Sequence, residues 1–264
     1  MDQLATLQEP WTDRRRRTAE LREQYGFAGQ VLRLYSALLD VQQDAFTAAR
    51  ANPPSPEAMI GFVTGRVLPK VVDATIAAGP EKLSTAVVGR FHSADLEDLV
   101  GRWLRSEEQS LVDRYLARAS TQPVLEAGGE QLGLDCAGPR DKRHCPSCGG
   151  LPQLAYNALS GEPLVTGPRY LVCSRCQRSW QYPRLVCAGC GEDSAPQLIT
   201  YAESEVLPHL TVEGCQSCSR YLISVDLRKQ LIAVPAVDEL AALPLDLHAK
   251  ELGLRKVVPN LMGF

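Results

Sequence analysis

The stretch Cys145-Pro146-Ser147-Cys148-Gly149-Gly150 opens a run of eight cysteines that closes at Cys218 and decides how the chain folds. The eight fall into four Cys-x-x-Cys pairs: Cys145/Cys148, Cys173/Cys176, Cys187/Cys190 and Cys215/Cys218. Between Cys148 and Cys173 lie 24 residues, and between Cys190 and Cys215 again 24. A shift of 42 carries the first two pairs onto the last two, so one unit is written twice in tandem. Two cysteines three apart sit on one tight knuckle, and two facing knuckles offer four thiolates in a tetrahedron, the geometry of closed zinc or iron sites. A unit of about 40 residues is at the lower limit for folding on its own core, so a metal supplies the missing stability. Gly149 and Gly191 follow Cys148 and Cys190, where a sharp turn brings amide donors towards sulfur. Two separate four-cysteine metal sites are therefore expected. Disulfides need an oxidising compartment, and a thioredoxin-like redox pair needs a single Cys-x-x-Cys opening a helix after a strand.

Outward from that stretch, the 264 residues provide room for two or three units. The net charge of −3 excludes a polycation that searches for nucleic acid. No segment has the length and apolarity of a membrane span. The opening Met1-Asp2-Gln3-Leu4 shows no basic segment followed by an apolar one, so no signal peptide is expected and a cytoplasmic, reducing location is the default.

Residues 1–120 read as an α-helical domain. Val31, Leu34, Tyr35, Leu38, Val41 and Ala45 recur at steps of three and four and predict a helix over 27–51. Ser55 is placed to cap a following helix with Pro56 at its first position, and Pro69 to kink or end it. Ser93 is the expected cap of a helix carrying Leu96, Leu99, Val100 and Trp103. The run Arg14–Arg17 reads either as the solvated side of a first helix or as a phosphate-contacting patch. Tyr35, Trp103 and Tyr115 are expected in the core, and His92 is assigned no role.

Residues 121–143 read as a linker punctuated by Pro123, Gly128, Gly129, Gly133, Gly138 and Pro139. Cys136 lies there outside the repeat, as an incidental small side chain or as a spare thiol for self-association. Residues 144–185 and 186–226 are the two metal modules, built on short antiparallel strands, with a turn at Gly161-Glu162 in the first. Trp180 is expected to cover the first site. His144 and His209 are read as bystanders, because four cysteines already fill each site. Residues 227–264 form a C-terminal extension. Leu231-Ile232-Ala233-Val234 is expected as a last strand, Asp238 as a helix cap, 244–252 as a helix, and the tail as docked on the body. Seven basic residues from Arg140 to Arg184 face Asp141 and Glu162, whereas from Cys187 to Asp226 six acidic residues face Arg220 alone. Either the arginines neutralise their own thiolates, or the repeats make a bipolar binding face.

The stretch Cys145-Pro146-x-Cys148-Gly149-x-x-Pro152, with Gly167-x-Arg169-Tyr170-Leu171-x-Cys173-x-x-Cys176, Trp180, Arg184, Cys187-x-x-Cys190-Gly191 and Cys215-x-x-Cys218, resembles the formate dehydrogenase accessory protein (FdhE) family. Leu32-Arg33-Leu34-Tyr35-Ser36 and Pro259-Asn260-Leu261-Met262-Gly263-Phe264 are compatible with it. The resemblance implies a multidomain α+β chain, with an all-α N-terminal domain followed by two tandem rubredoxin-like, or zinc-ribbon, modules. It implies a non-enzymatic cytoplasmic helper that binds the catalytic subunit of a molybdenum or tungsten formate dehydrogenase, with all eight paired cysteines as ligands to iron or zinc. Two other functions compete: a nucleic-acid-binding zinc ribbon, and a rubredoxin-like iron redox protein. Closed four-thiolate sites leave no open position for a substrate, and no nucleophile elbow, phosphate loop or HExxH motif is present.

Overall fold

A computed structural model describes residues 10–133, 139–159, 167–203 and 205–263. Helices α1 (Pro10–Gln24), α2 (Gly29–Ala51), α3 (Pro56–Phe62), α4 (Leu68–Ala78), α5 (Glu81–Ser93), α6 (Leu96–Leu104) and α7 (Leu111–Gly133) fill the first half. The stripe of α2 is buried through Leu34, Tyr35, Leu38 and Ala45, and this helix packs on α1, α4 and α7. Ser55 caps α3 as expected, its hydroxyl accepting from the Ala58 N–H at 3.3 Å. Ahead of Pro69 a π-helical turn over Val63–Val67 absorbs the hydrogen bond that proline cannot make. Asp95, rather than Ser93, caps α6, accepting from the Glu97 and Asp98 amides at 3.1 and 3.0 Å. Ser93 is used up as the last residue of α5.

Helix α7 continues to Gly133, through 121–133, which the proline and glycines had marked as linker. Ser120, Thr121, Gln122, Val124 and Leu125 are buried there, and burial outweighs local propensity. Pro123 has no N–H to give to the Ala119 carbonyl. That carbonyl instead accepts from the buried Gln42 side chain of α2 at 3.1 Å. Gly129, with φ at 54°, marks the kink further on. Cys136 and the turn expected at Gly161-Glu162 lie outside the described residues.

The second half is built on β1 (Pro152–Asn157), β2 (Arg169–Cys173), β3 (Ser179–Gln181), β4 (Leu198–Ala202), β5 (Leu210–Cys215) and β6 (Arg220–Asp226). Within each repeat the three strands are antiparallel neighbours. The repeats join where β1 lies parallel to β6, with Ala155 opposite Ser224, giving the order β3-β2-β1-β6-β5-β4. Strand β7 (Arg255–Lys256) takes the other end of β6, pairing with Arg220 and Tyr221. Residues 231–234 are a turn and irregular chain and not a strand, because local bonds, from the Ala233 amide to the Gln230 carbonyl and from the Val237 amide to the Val234 carbonyl, bend the backbone. Helix α8 (Pro235–Asp238) and α9 (Leu243–Glu251) follow them; Asp238 ends α8 and stands at the N-cap position of the short 3-10 helix Glu239–Ala241, without a side-chain capping bond.

Leu210, Val212, Tyr221, Ile223 and Val225 form the covered face of the sheet, in one core with the helical residues Leu32, Leu39 and Leu116. On the other face a small cluster of Ala155, Leu171, Tyr182, Ala188 and Leu222 packs under the chain around 182–189. The tail docks as expected: Leu261 is buried, and the Arg118 guanidinium donates to the Pro259 carbonyl at 2.7 Å. Among the described residues no helix is long and apolar enough to cross a membrane.

Candidate metal centres

Each cysteine pair sits on a knuckle whose backbone follows from its residues. The Cys145 amide donates to the Gly150 carbonyl, and the Gly149 amide returns to the Cys145 carbonyl, both at 2.9 Å. Cys187 repeats this with Glu192 at 2.7 Å and Gly191 at 2.9 Å. The return bond requires a left-handed residue, and Gly149 and Gly191 have φ of 65° and 87°. In the partner knuckles Gln177 and Ser219, again 42 apart, have φ of 59° and 53°. The duplication seen in the cysteines is therefore a duplication of backbone conformation.

The knuckles close in the expected pairs. Cys145, Cys148, Cys173 and Cys176 bring their sulfurs within 4.8 Å of one another, and so do Cys187, Cys190, Cys215 and Cys218. In the first cluster Sγ–Sγ distances are 3.6 Å (Cys145–Cys176), 3.3 Å (Cys148–Cys173) and 3.5 Å (Cys148–Cys176). In the second, Cys187–Cys218 and Cys190–Cys215 are both 3.8 Å apart. A tetrahedron with bonds of about 2.3 Å has edges of about 3.8 Å, so the donor set fits a zinc- or iron-sized cation. Amide N–H groups of Arg175 and Gly189 point at the Cys173 and Cys187 sulfurs, at 3.3 Å in both cases. Hydrogen bonds from neighbouring thiols hold Cys145 well below its ordinary thiol value, whereas burial pushes Cys173 well above. Four sulfurs this close share protons unevenly, and a divalent cation relieves that conflict.

The two clusters differ in exposure. All four sulfur residues of the first are buried, whereas in the second Cys190 is exposed and Cys187 and Cys218 are half-buried. Gly150 explains part of this: a Cβ there would lie 2.8 Å from the Cys173 sulfur, so its absence lets the chain close over the cluster. The corresponding position 42 residues on is the half-buried Glu192.

Arginines support the first site. Arg175 donates to the Cys148 carbonyl at 3.1 Å, and reaches the Ser106 hydroxyl and the Trp103 carbonyl at the end of α6. Arg178 donates to the Ser147 hydroxyl at 2.6 Å. Trp180 is half-buried, packs against the core holding this cluster, and donates its indole N–H to the Lys142 carbonyl at 3.0 Å. His144 stands apart from the sulfurs, 2.7 Å from Asp141, which hydrogen bonds from Arg143 and His144 hold well below the usual carboxylate range.

Two charged clusters escaped the reading of the sequence. Arg17, expected on a solvated face or a phosphate patch, is buried against Asp238, and Asp238 also meets His209. Arg14 is buried against Glu126 at 2.7 Å, and only Arg15 and Arg16 of that run are in water. Lys256, Glu239 and Asp246 form a second buried group under β6, joined by the Tyr221 hydroxyl, which donates to Asp246 at 2.8 Å. The signal available was Arg14 and Arg17 at helical spacing on one face, but nothing in the sequence named their partners.

Residues 171–262 match the family model of the FdhE C-terminal domain. The crystal structure of the FdhE protein from Pseudomonas aeruginosa superposes with a TM-score of 0.67 over 96% of this chain and 94% of that one, at 26% identity. A protein FdhE homolog from Aquifex aeolicus is 36% identical over 170 residues, covering 64% of this chain and 59% of that protein. The chain belongs to the FdhE family. Another FdhE homolog, from Haemophilus influenzae, is 32% identical over 197 residues, covering 72% of this chain and 63% of its own length. The matches to these two FdhE homologs thus span less than two thirds of their lengths. The fold of an FdhE protein is shared through both halves, the helical one included.

Proposed function

We propose that this protein is a non-catalytic accessory factor that holds the catalytic subunit of a formate dehydrogenase during its maturation. In this reading Cys145, Cys148, Cys173 and Cys176 ligate one metal ion, and Cys187, Cys190, Cys215 and Cys218 a second, each iron or zinc. The observation that carries it is the closure of both clusters. Four thiols per cluster, supported by amide N–H groups, use every coordination position of a tetrahedral ion, so the metal serves the fold and the surface rather than a substrate. The family supplies the client, since FdhE homologs carry the accessory role in the resemblance set out above.

A pull-down from anaerobic cells with the full chain as bait, with metal analysis of the eluate, tests this reading. The expected result is the formate dehydrogenase catalytic subunit together with about two metal ions per chain, the number that two four-thiolate sites require. Full maturation of formate dehydrogenase by a chain with serine at both Cys145 and Cys187 and no bound metal would overturn it.

A further inference from the structure

The sheet ends at β4, and among the described residues no strand pairs with its outer edge. Thr200, Tyr201 and Ala202 are exposed there. Leu198–Ala202 carries no charge, no proline and no bulge, the usual devices that keep a sheet edge from pairing with another chain. Ile199 packs on the covered core, and Tyr201, on the same face of the strand, stacks on the His248 ring of α9 at 3.9 Å. Thr200, opposite Glu213, stands on the other face. The edge is therefore held straight and in place, with its side chains fixed from behind.

The hydrogen-bond parity shows which backbone groups face outward. In an antiparallel pair, residues that exchange both bonds alternate with residues that exchange none. The Gln216 amide donates to the Gln197 carbonyl at 2.8 Å, one step beyond the pairing of Leu198 with Cys215. The bonded rungs between β4 and β5 are therefore Ile199 with Gly214 and Tyr201 with Val212. The Asp226 amide donates to the His209 carbonyl at 2.8 Å, which directs Thr211, Glu213 and Cys215 to β6 and leaves Val212 and Gly214 for β4, in agreement. The N–H and C=O groups of Leu198, Thr200 and Ala202 thus point away from the sheet.

We infer that β4 pairs antiparallel with β4 of a second copy of this chain, about a two-fold axis at Thr200. The three outward residues fix that register, because Thr200 then meets the copy's Thr200 and Leu198 the copy's Ala202, each pair exchanging two bonds. Between them Ile199 falls opposite the copy's Tyr201, an aromatic and a β-branched side chain, the kind of cross-strand pair that stabilises a sheet. The strand is self-complementary, as a two-fold interface requires. Charge agrees with it: Glu203, just past β4, falls towards the copy's Gln197, and Asp193 towards the copy's Leu207, so no carboxylates are set against each other. A contact of one strand pair is small, so the association is weak and concentration-dependent.

The test uses the full metal-loaded chain with a reductant present, which removes any pairing through Cys136. Sedimentation and amide-exchange NMR are followed from about 10 µM to about 1 mM, the range of a weak, small interface. The expected result is a monomer that becomes a dimer, with exchange slowing at Leu198, Thr200 and Ala202 as concentration rises. Ile199 and Tyr201, already bonded to β5, should be protected at every concentration. Thr200→Pro removes the outward N–H and no bond to β5, so it should keep both metal ions and weaken the dimer roughly ten-fold or more, as for two lost hydrogen bonds. Thr200→Val keeps the N–H and should associate like the unmodified chain. A monomer throughout the range, association that Thr200→Pro leaves unchanged, or slowed exchange that spares the three outward amides would each overturn the pairing. Slowing at those amides only when the formate dehydrogenase catalytic subunit is added would give the edge to that partner, and would overturn it too.

Discussion

Arg17 and Asp238 lie 221 residues apart in the chain and meet in a buried ion pair, with the guanidinium nitrogens 2.6, 3.0 and 3.1 Å from the carboxylate oxygens. The same carboxylate takes the His209 ring nitrogen at 2.8 Å and the Val234 amide at 2.8 Å. One aspartate thus ties the first helix, the approach to β5 and the start of α8. Helical half and sheet half are fastened by charge as well as by their shared core.

Asp238→Ala leaves the buried Arg17 with only the half-buried Glu20 carboxylate, at 3.1 Å, as counter-charge, and breaking a buried pair costs up to about 3–5 kcal/mol. The measurement is urea unfolding of the metal-loaded chain. The expected result is a drop of that size, with Arg17→Ala similar and Arg17→Met with Asp238→Leu milder than either single change. A single-variant loss below about 1 kcal/mol, the level of a surface pair, would show that the pair is not desolvated.

The same carboxylate predicts a pH dependence. Burial alone would raise the Asp238 value, but hydrogen bonds from His209 and Arg17 and the Arg17 charge outweigh it, so the folded value lies below the ordinary one. A depressed carboxylate contributes stability above its unfolded value of about 3.9, and that contribution is lost as pH falls through the folded value. The stability gap between the unmodified chain and Asp238→Asn should therefore shrink as pH falls below about 4. Comparing the two chains at each pH cancels the acid release of metal that both share. A gap that widens below about 4 would reverse the sign.

The cysteine half was open to reading because thiol ligation leaves a fixed spacing in the sequence, and a spacing repeated 42 residues on has no other economical cause. The helices before residue 120 were open for a similar reason, since packing on one face leaves steps of three and four. Other features rest on contacts between distant residues. Pro123 signals a break in any local reading, and Gln42, 77 residues away from Ala119, is what lets α7 pass through it. An arginine run looks the same whether its carboxylates are solvent or Asp238. The parallel junction of β1 with β6 has no local pattern at all, so two modules in tandem were expected where the structure merges both into one sheet.

Unequal burial of the clusters predicts unequal metal release. The first ion would sit behind four buried cysteines and under Arg175, whereas the second has the exposed Cys190 at its edge. A water-soluble chelator should therefore remove metal in two phases. Cys190→Ser should abolish the fast phase and Cys148→Ser the slow one. A single phase for the unmodified chain would mean that both sites open through one shared unfolding step.

Gly150 gives the most local prediction. Its Cβ position lies 2.8 Å from the Cys173 sulfur and 3.2 Å from the Arg175 side chain; the sulfur would be held by ligation, and Arg175 is held by the Cys148 carbonyl. Gly150→Ala therefore forces the second knuckle outward, an overpacking change of about 1–3 kcal/mol. Metal content should fall at the first site and remain at the second. Glu192→Ala at the corresponding position removes bonds from the Ser194 amide and the Ser217 hydroxyl but presses no atom on a sulfur, and both ions should stay. Metal counting of the two variants beside the unmodified chain decides it: equal loss from both would show that the closed packing around Gly150 does not govern how the first cluster forms.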